Sequence, residues 1–286
     1  MLRRAILVLA TAAGIFSIAP VASSFGGNPD MGRANLNIVS LQMARPQISL
    51  ASAFRPSANA AVAPGISIAK PVIGLGVFSS VAISAARLPA AAKWQQVTRT
   101  DFTALFGADC AGSGLAGCNT QFARSLQGVA DEATGLPELA VLDLVNRSVN
   151  AAMTYREDTA LWGVGDYWAT PSEVARKGAG DCEDFAIAKF WLLRSLGVSA
   201  EQLQLVVLQD TRRQLFHAVL VAHIGSGSYV LDNVTNRLNR DTAYAQYQPI
   251  MSFSDGRNYI HGFAGTNTAM AAMPTDLSAV SPGEGL

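Results

Sequence analysis

A short glycine turn followed by a long apolar run constrains the fold of this chain more than any other feature. Gly178-Ala179-Gly180 leads into Asp181-Cys182-Glu183-Asp184, and an apolar run then extends from Phe185 to Leu196 and stops at Gly197. Acidic residues suit a helix N-terminus, and glycine commonly ends a helix. The pattern predicts a largely buried helix with Cys182 in its first turn. Free backbone amides at the helix start would lower the pKa of the thiol, as expected of a reactive cysteine. The alternative interpretation is that Cys182 is a small buried residue used only for packing.

The segment that follows predicts a buried strand and then a β-hairpin. Residues 203–208 form the first strand, and residues 216–223 and 228–232 flank a turn at Gly225-Ser226-Gly227. A four-residue turn over residues 224–227 would pair His223 with Ser228. His217 and Asp232 would then be diagonal neighbours on one sheet face, roughly 7–8 Å apart. A slip of one residue would place them on opposite faces.

The order cysteine, histidine, aspartate on a helix and a hairpin is the order of the transglutaminase-like and papain-like folds. In that arrangement the histidine takes the thiol proton and the aspartate orients the imidazole. The predicted catalytic residues are therefore Cys182, His217 and Asp232. The expected fold class is α+β, with a papain-like core in which the helix bearing the nucleophile packs on an antiparallel sheet.

The chain resembles the bacterial transglutaminase-like cysteine proteinase family over residues 93–262. The matching segments are Tyr155-Arg156-Glu157-Asp158, Gly165 to Glu173, Gly178 to Lys189, His217 to Leu220 and Leu231-Asp232-Asn233. The resemblance implies an exported cysteine endopeptidase that acts on an exported protein or peptide, such as a large surface adhesin of a biofilm. It also implies an inner-membrane regulatory receptor as a partner. Transglutaminase-type acyl transfer and an amidase reaction use the same triad and remain alternatives.

The acidic residues around the nucleophile have two interpretations. Asp181, Glu183 and Asp184 could cap the helix and pair with Arg or Lys. They could instead bind calcium, a hard cation that prefers carboxylate oxygens. The resemblance implies calcium dependence, with Asp181 and Glu183 as the metal ligands. Without a cation, acids beside a cysteine would raise the pKa of the thiol.

The N-terminus and the cysteines predict export. Residues 1–23 combine Arg3 and Arg4, an apolar core and small residues near the end, which is typical of a cleaved signal peptide. A short membrane anchor is the alternative, but the apolar run is shorter than the roughly 20 residues that a spanning helix needs. In the periplasm or outside the cell, Cys110 and Cys118 would form a disulfide and leave Cys182 free. The net charge is zero, so no nucleic-acid partner is indicated.

Composition and periodicity predict the remaining organisation of the chain. Residues 24–90 are rich in Ala, Ser, Pro and Gly and predict a disordered spacer, although an edge strand near residues 72–75 is an alternative. The transglutaminase-like domain is expected over residues 91–262 and a flexible tail over 263–286. Helices are predicted over residues 121–132 and 137–153. The apolar stripe of the second helix is Leu139, Leu142, Val145, Val149 and Met153.

The sequence contains three further patterns: a capping motif, two more histidines and a closely spaced cysteine pair. Thr170-Pro171-Ser172-Glu173 predicts a capping box at the start of a short helix. His217 is preferred as the base because of its position before Asp232 and its match to the family. His223 sits beside the turn and is expected to be a solvent-facing or packing residue, and His261 has no predicted partner. A Cys/His zinc site is not expected, because Cys110 and Cys118 are too far apart in sequence for a metal knuckle and have no histidine nearby.

Overall fold

The computed structural model describes residues 76–263, residue 274 and residues 276–283, which belong to one compact unit. The predicted signal peptide (1–23) and residues 24–75 of the predicted spacer, including the alternative edge strand at 72–75, lie outside the described residues. Within the described residues, no helix combines the length and the apolar character that a membrane crossing requires.

Seven α-helices and nine β-strands are present in the described part of the chain. The helices are α1 (Ala91–Thr98), α2 (Gln121–Gln127), α3 (Val129–Ala133), α4 (Glu138–Ala152), α5 (Asp158–Leu161), α6 (Pro171–Lys177) and α7 (Cys182–Ser195). The strands are β1 (Val81–Ser84), β2 (Thr154–Tyr155), β3 (Ala179–Gly180), β4 (Leu203–Asp210), β5 (Leu215–Ile224), β6 (Gly227–Leu231), β7 (Asn239–Arg240), β8 (Tyr247–Ser254) and β9 (Arg257–Gly262). Short 3-10 turns connect several of them.

An antiparallel sheet of seven strands forms the base of the domain, in the order β1-β9-β8-β4-β5-β6-β7. The helix α7 packs against β4 and β5 on one face of this sheet. The main hydrophobic core lies between them and includes Ile187 and Leu192 from the helix and Leu205 and Val207 from β4. The predicted fold class, α+β with a papain-like core, is therefore confirmed.

The helix α7 begins at Cys182, as predicted. Twelve of its fourteen residues are buried, including the polar residues Glu183, Asp184 and Lys189. Gly197 follows the last turn with φ +89°, a left-handed conformation that glycine adopts at little cost. The prediction of a largely buried helix with the cysteine in its first turn is confirmed.

The segment before α7 fixes the position of the cysteine. The capping box at the start of α6 is present, with Thr170 and Glu173 bonding reciprocally. Gly178 then turns the chain into β3, where Gly180 pairs with Tyr155 of β2 in a parallel bridge. A Cβ on Gly180 would lie 2.5 Å from the Cβ of Asp184, so only glycine lets the turn approach the first turn of α7 this closely.

Two helix predictions need correction. The helix predicted over residues 121–132 is divided at Gly128 into α2 and α3, because glycine weakens a continuous helix. In α4, Leu139 is 40% exposed and Val141 is fully buried. At 3.6 residues per turn, Leu139 lies about 240° around the helix from Val145, so it faces away from the core. The residues buried on this helix are Val141, Leu142, Val145, Asn146 and Val149.

Ordered structure also extends beyond the expected domain limits of 91–262. Within the predicted spacer, β1 pairs with β9 and so covers an edge that would otherwise expose unpaired backbone groups. Within the predicted flexible tail, Val280 is 5% exposed and packs in the main core, which anchors residues 276–283. The spacer and tail predictions are therefore wrong for residues 81–84 and 276–283.

The disulfide between Cys110 and Cys118 is present, with the two Cα atoms 5.5 Å apart, and Cys182 is free. We expect one alkylated thiol per chain when the unreduced protein is unfolded and treated with iodoacetamide, and three after reduction. Intact-mass measurement would count the labels. The variant Cys182→Ala should take none without reduction. Three labels on unreduced wild-type protein would contradict the pairing.

Candidate active site

The predicted nucleophile lies at the meeting point of α7 and β5. The Cys182 side chain is 2% exposed, and its thiol donates a hydrogen bond to Glu183 Oε2 at 3.3 Å. The backbone amide of Ala218, the residue after His217, donates to the sulfur. Burial raises the pKa of the Cys182 thiol well above its ordinary value, and the charges of Glu183 and Asp181 raise it further. These effects outweigh the lowering of the thiol pKa that the helix amides were expected to cause. The thiol therefore needs a base to take its proton.

The predicted base and its orienting group lie in contact. His217 Nε2 is 2.9 Å from Asp232 Oδ1, and both side chains are buried. The predicted register, with His223 opposite Ser228, is confirmed, and it places the two residues on one side of the hairpin. An ionised carboxylate only accepts hydrogen bonds, so Nε2 carries the hydrogen. Nδ1 is then left as the proton acceptor of the imidazole.

Asp232 is held as a carboxylate by its neighbours. The hydroxyl of Tyr247 donates to Oδ2 at 2.6 Å, and the amide of Val234 donates to Oδ1 at 3.0 Å. Burial alone would raise the pKa of Asp232, but the hydrogen bonds from His217, Tyr247 and Val234 hold this pKa well below its usual range. Asp232 can therefore keep the imidazole oriented throughout the ordinary pH range.

Two residues that the sequence did not predict support the pair of His217 and Asp232. Tyr247 begins β8, and its ring also packs edge-on against the His217 ring at 5.8 Å. Asn150 of α4 donates from Nδ2 to the carbonyl oxygen of Asp232 at 2.9 Å and so holds the end of the hairpin. No local pattern marks either residue. Asn150 is 82 residues from Asp232, and Tyr247 lies on β8, which does not pair with the hairpin that carries His217 and Asp232.

Five carboxylates gather beside the nucleophile. They belong to Asp158, Asp166, Asp181, Glu183 and Asp184. Carboxylate oxygens of Asp158, Asp181 and Asp184 lie within 4.8 Å of one another, and so do those of Asp158, Asp166 and Glu183. The predicted metal ligands Asp181 and Glu183 both belong to this acidic cluster. Asp158 and Asp166 were not assigned a role, although both lie in segments that carry the family resemblance.

The acidic cluster has the chemistry of a cation site. Asp166 Oδ1, Asp181 Oδ1, Glu183 Oε1 and Asp184 Oδ2 are buried and accept no hydrogen bond. Burial raises the pKa of Asp181 to about 8 and, with the neighbouring charges, the pKa values of Glu183 and Asp184 well above their usual range. Hard oxygen ligands at this density suit Ca²⁺. A bound cation would offset the burial and the mutual repulsion that raise these pKa values.

The alternative role of these acids, helix capping, finds less support. Asp181 is the N-cap residue of α7, but its side chain makes no capping hydrogen bond. Asp184 Oδ1 accepts from the amide of Ala169 at 2.8 Å, and the Asp184 carboxylate also accepts from the backbone amide of Asp181, which is the one capping contact among these three acids. Within the described residues, Lys93 forms an ion pair with Asp166, and no Lys or Arg pairs with Asp181, Glu183 or Asp184.

A cleft runs past these groups and contains two cavities. One, of about 370 Å³, is lined by Asp181, Asp158 and Gly283. The other, of about 450 Å³, is lined by His217, Tyr155 and Gly283. The cleft therefore gives a ligand access to the acidic cluster on one side and to the imidazole on the other.

Three aromatic residues before α6 pack in or against the core. Trp168 is buried and packs edge-on against Phe253. Trp162 and Tyr167 are half-buried and pack against the same core, with their rings tilted by 43° and the ring centroids 4.8 Å apart.

The other two histidines belong to a buried polar network on the sheet. His223 is hydrogen-bonded to Gln204 and Ser228, and His261 to Ser80 and Ser252. Burial lowers the pKa of His223 and lowers that of His261 to about 4. Both are buried, neutral residues of the sheet, which agrees with the packing role expected for His223; no partner was predicted for His261.

A family model and solved structures are similar to this chain. The family model described as bacterial transglutaminase-like cysteine proteinase matches residues 117–259, half of the chain and all three predicted catalytic residues. A search of curated proteins found no significant match.

Among solved structures, the chain is similar to LapG of Legionella pneumophila. The identity is 26% over 49% of this chain and 79% of that chain, with a TM-score of 0.43. A calcium-bound structure of the same protein shows 24% identity over 53% of this chain and 86% of that chain, with a TM-score of 0.44.

Proposed function

The chain belongs to the bacterial transglutaminase-like cysteine proteinase family, and on that premise we propose that Cys182, His217 and Asp232 form the catalytic triad of an exported endopeptidase. The protein is a transglutaminase-like cysteine peptidase by family. The observation that carries the assignment of residues is the 2.9 Å contact of His217 with Asp232, next to a buried thiol that the Ala218 amide contacts.

The proposed mechanism begins with proton transfer from the thiol to His217 Nδ1. The Cys182 sulfur attacks the scissile carbonyl carbon, and the imidazolium returns its proton to the leaving amine as the acyl-enzyme forms. Water then enters, His217 takes a proton from it, and the water oxygen attacks the thioester carbonyl carbon. The C–S bond breaks, the imidazolium returns the proton to the Cys182 sulfur, and the carboxylic acid product leaves. Asp232 stabilises the imidazolium, because its carboxylate stays ionised. The backbone amide of Cys182, at the start of α7, is the proposed donor to the oxyanion.

Calcium is the proposed cofactor. The ligands would be Asp181 and Glu183, as the sequence predicted, together with Asp158, Asp166 and Asp184 of the acidic cluster. When bound, the ion would supply positive charge that offsets these carboxylates and the high pKa of the adjacent thiol. The buried carboxylate oxygens without hydrogen bonds support this assignment.

The proposed substrate is an exported protein, such as a large cell-surface adhesin, and the proposed location is the periplasm or the cell exterior. The family resemblance and the signal-like residues 1–23 support this proposal. The disulfide supports it as well, because such bonds persist in oxidising compartments. An inner-membrane regulatory receptor is the proposed partner.

The test is incubation of the purified mature protein with the exported proteins of its own source, together with a labelled primary amine. We expect discrete fragments that start at one new N-terminus and carry no label, because water is the proposed acceptor of the acyl group. Amine-labelled or crosslinked products would show transglutaminase-type transfer instead, and release of ammonia alone would show an amidase. The variant Cys182→Ala is the matched control and should yield none of these.

A further inference from the structure

The strand that carries His217 has an open edge beside the nucleophile. Along β5, pairing with β4 runs from Leu215 to Ala222, whereas pairing with β6 runs only from Leu220 to Ile224. Residues 215–219 therefore have no strand partner on the second side among the described residues. An open edge of this kind offers backbone hydrogen bonds to an extended peptide.

One part of this edge is already occupied by the C-terminal segment of the chain. The amide of Gly283 donates to the carbonyl oxygen of Phe216 at 2.9 Å. In a strand, residues i and i+2 present their backbone groups to the same side. The Phe216 carbonyl thus lies on the same edge as the Ala218 amide, which contacts the Cys182 sulfur. Residues 216 and 218 are roughly 7 Å apart along the strand from Cα to Cα.

The site around Gly283 admits glycine in particular. Gly283 has φ +87°, and a Cβ on it would lie 3.4 Å from both Tyr155 Oη and Asp181 Oδ2. Tyr155 pairs with Gly180 in the short sheet before Cys182, and Asp181 follows Gly180 directly. Both side chains that contact Gly283 are therefore held by the turn that positions the nucleophile. A side chain at this point would require strained backbone, because φ lies in the left-handed region, and its Cβ would be in van der Waals contact with Tyr155 and Asp181.

Gly283 also lies between two cavities. It lines both the 370 Å³ cavity beside Asp181 and the 450 Å³ cavity beside His217. The contacts that anchor this segment lie upstream, where Val280 is buried in the main core and Leu277 packs against it. The segment therefore borders both the space beside the acidic cluster and the space beside the imidazole.

We propose that the open edge of β5 at Phe216 is a peptide-binding subsite that requires glycine next to Tyr155 and Asp181, and that residues 281–283 of the chain occupy it in competition with substrate. This inference rests on the proposed peptidase function and specifies it further. A substrate segment would bind by backbone hydrogen bonding along β5, about two residues from the bond that is cut. Its side chains on either side of the glycine would enter the two cavities.

The test measures peptide binding without turnover, on the full chain carrying Cys182→Ala. The probe is a fluorescent synthetic peptide with the sequence of residues 276–286, and its Kd is measured by anisotropy. A tethered segment competes at an effective concentration of up to millimolar, so the peptide should bind the parent weakly. Adding Gly283→Val to the protein should release the segment and tighten peptide binding by about tenfold or more. Val280→Asp, which removes the apolar anchor, should act in the same direction.

Two matched controls isolate the subsite. Gly135→Val introduces the same change at a glycine with φ +76° whose surroundings are open, and it should leave the Kd unchanged. A peptide with valine in place of Gly283 should bind the released protein at least about tenfold more weakly. Equal binding to the parent and to both released variants, no binding to either released variant, or indifference to the valine peptide would overturn the inference.

Failure of the inference and failure of the proposed function are distinguishable. If the peptide binds as expected but the protein with Cys182 cleaves nothing, the subsite stands and the peptidase proposal fails. If exported proteins are cleaved but the peptide binds parent and variants alike, the triad stands and the subsite is wrong. With both proposals correct, Gly283→Val in the active protein should raise kcat/KM several-fold, mainly through a lower KM.

Discussion

Replacing Cys182 with alanine should reduce peptide-bond cleavage by about 10⁴-fold or more, because the acyl-enzyme cannot form without the sulfur. His217→Ala should cost nearly as much, since burial and the adjacent acids keep the thiol protonated unless a base takes its proton. Asp232→Asn should leave more activity, roughly 50-fold above the Cys182→Ala level, because an orienting group matters less than the nucleophile. The effect of each of the three variants would be measured as the initial rate of cleavage of the substrate identified among the exported proteins.

The controls for this series are Cys182→Ser and Tyr247→Phe. The serine variant keeps the size of the side chain but remains inactive, because its hydroxyl is a much weaker nucleophile. Tyr247→Phe removes one hydrogen bond to Asp232 and keeps the ring beside His217, so its loss should be smaller than that of Asp232→Asn. Unchanged circular dichroism would show that each variant is folded. Cys182→Ala activity within tenfold of wild type would refute the triad.

Removing calcium should have the second largest effect. A calcium-selective chelator should reduce wild-type activity by about 10²-fold or more, and excess Ca²⁺, but not Mg²⁺, should restore it, because Mg²⁺ loses its water ligands reluctantly. The double variant Asp181→Ala, Glu183→Ala should be weakly active at any calcium level. The exposed pair Asp131→Ala, Glu132→Ala on α3 removes the same charge far from the site and should keep the chelator response of the wild type.

Stability separates the two roles of the acids. If the acidic cluster binds calcium, wild-type Tm should rise with added Ca²⁺, by an amount that corresponds to about 4 kcal/mol at a thousand times Kd. Without calcium, the double variant should be at least as stable as wild type, because two buried and repelling carboxylates are gone. If the acids are helix caps, the double variant should lose about 1–2 kcal/mol regardless of calcium. Chelator-insensitive activity and Tm would remove calcium from the proposal and leave the triad.

Local patterns in the sequence were sufficient for the nucleophile helix and the hairpin. The start of α7 followed from a glycine turn, a band of acids and an apolar run, all within twenty residues. The register that joins His217 to Asp232 followed from the length of one turn, because a hairpin turn determines which residues face each other. The disulfide followed from two cysteines a short distance apart. Each of these features depends on residues that are near neighbours in the chain.

Sequence patterns failed where a position depends on distant packing. Leu139 was assigned to the core of α4 because its spacing is regular, but the position of the sheet and of α7 selects a stripe centred on Val145. The spacer and the tail look unstructured by composition, yet β1 covers the edge of β9 and Val280 enters the core. Composition records average hydrophobicity, whereas a single strand pairing or one buried side chain is enough to order a short segment.

The fold class, the nucleophile helix, the hairpin register and the three residues of the proposed triad were all predictable from sequence patterns. Packing of the folded chain brought Asp158 and Asp166 to Asp181, Glu183 and Asp184, placed Tyr247 on Asp232, and set Gly283 between the two cavities. Secondary structure follows from periodicity over a few residues. The site also depends on contacts from the acidic cluster, from the Tyr247 hydroxyl and from the C-terminal segment. These contacts follow from how whole elements pack, and no local spacing encodes that packing.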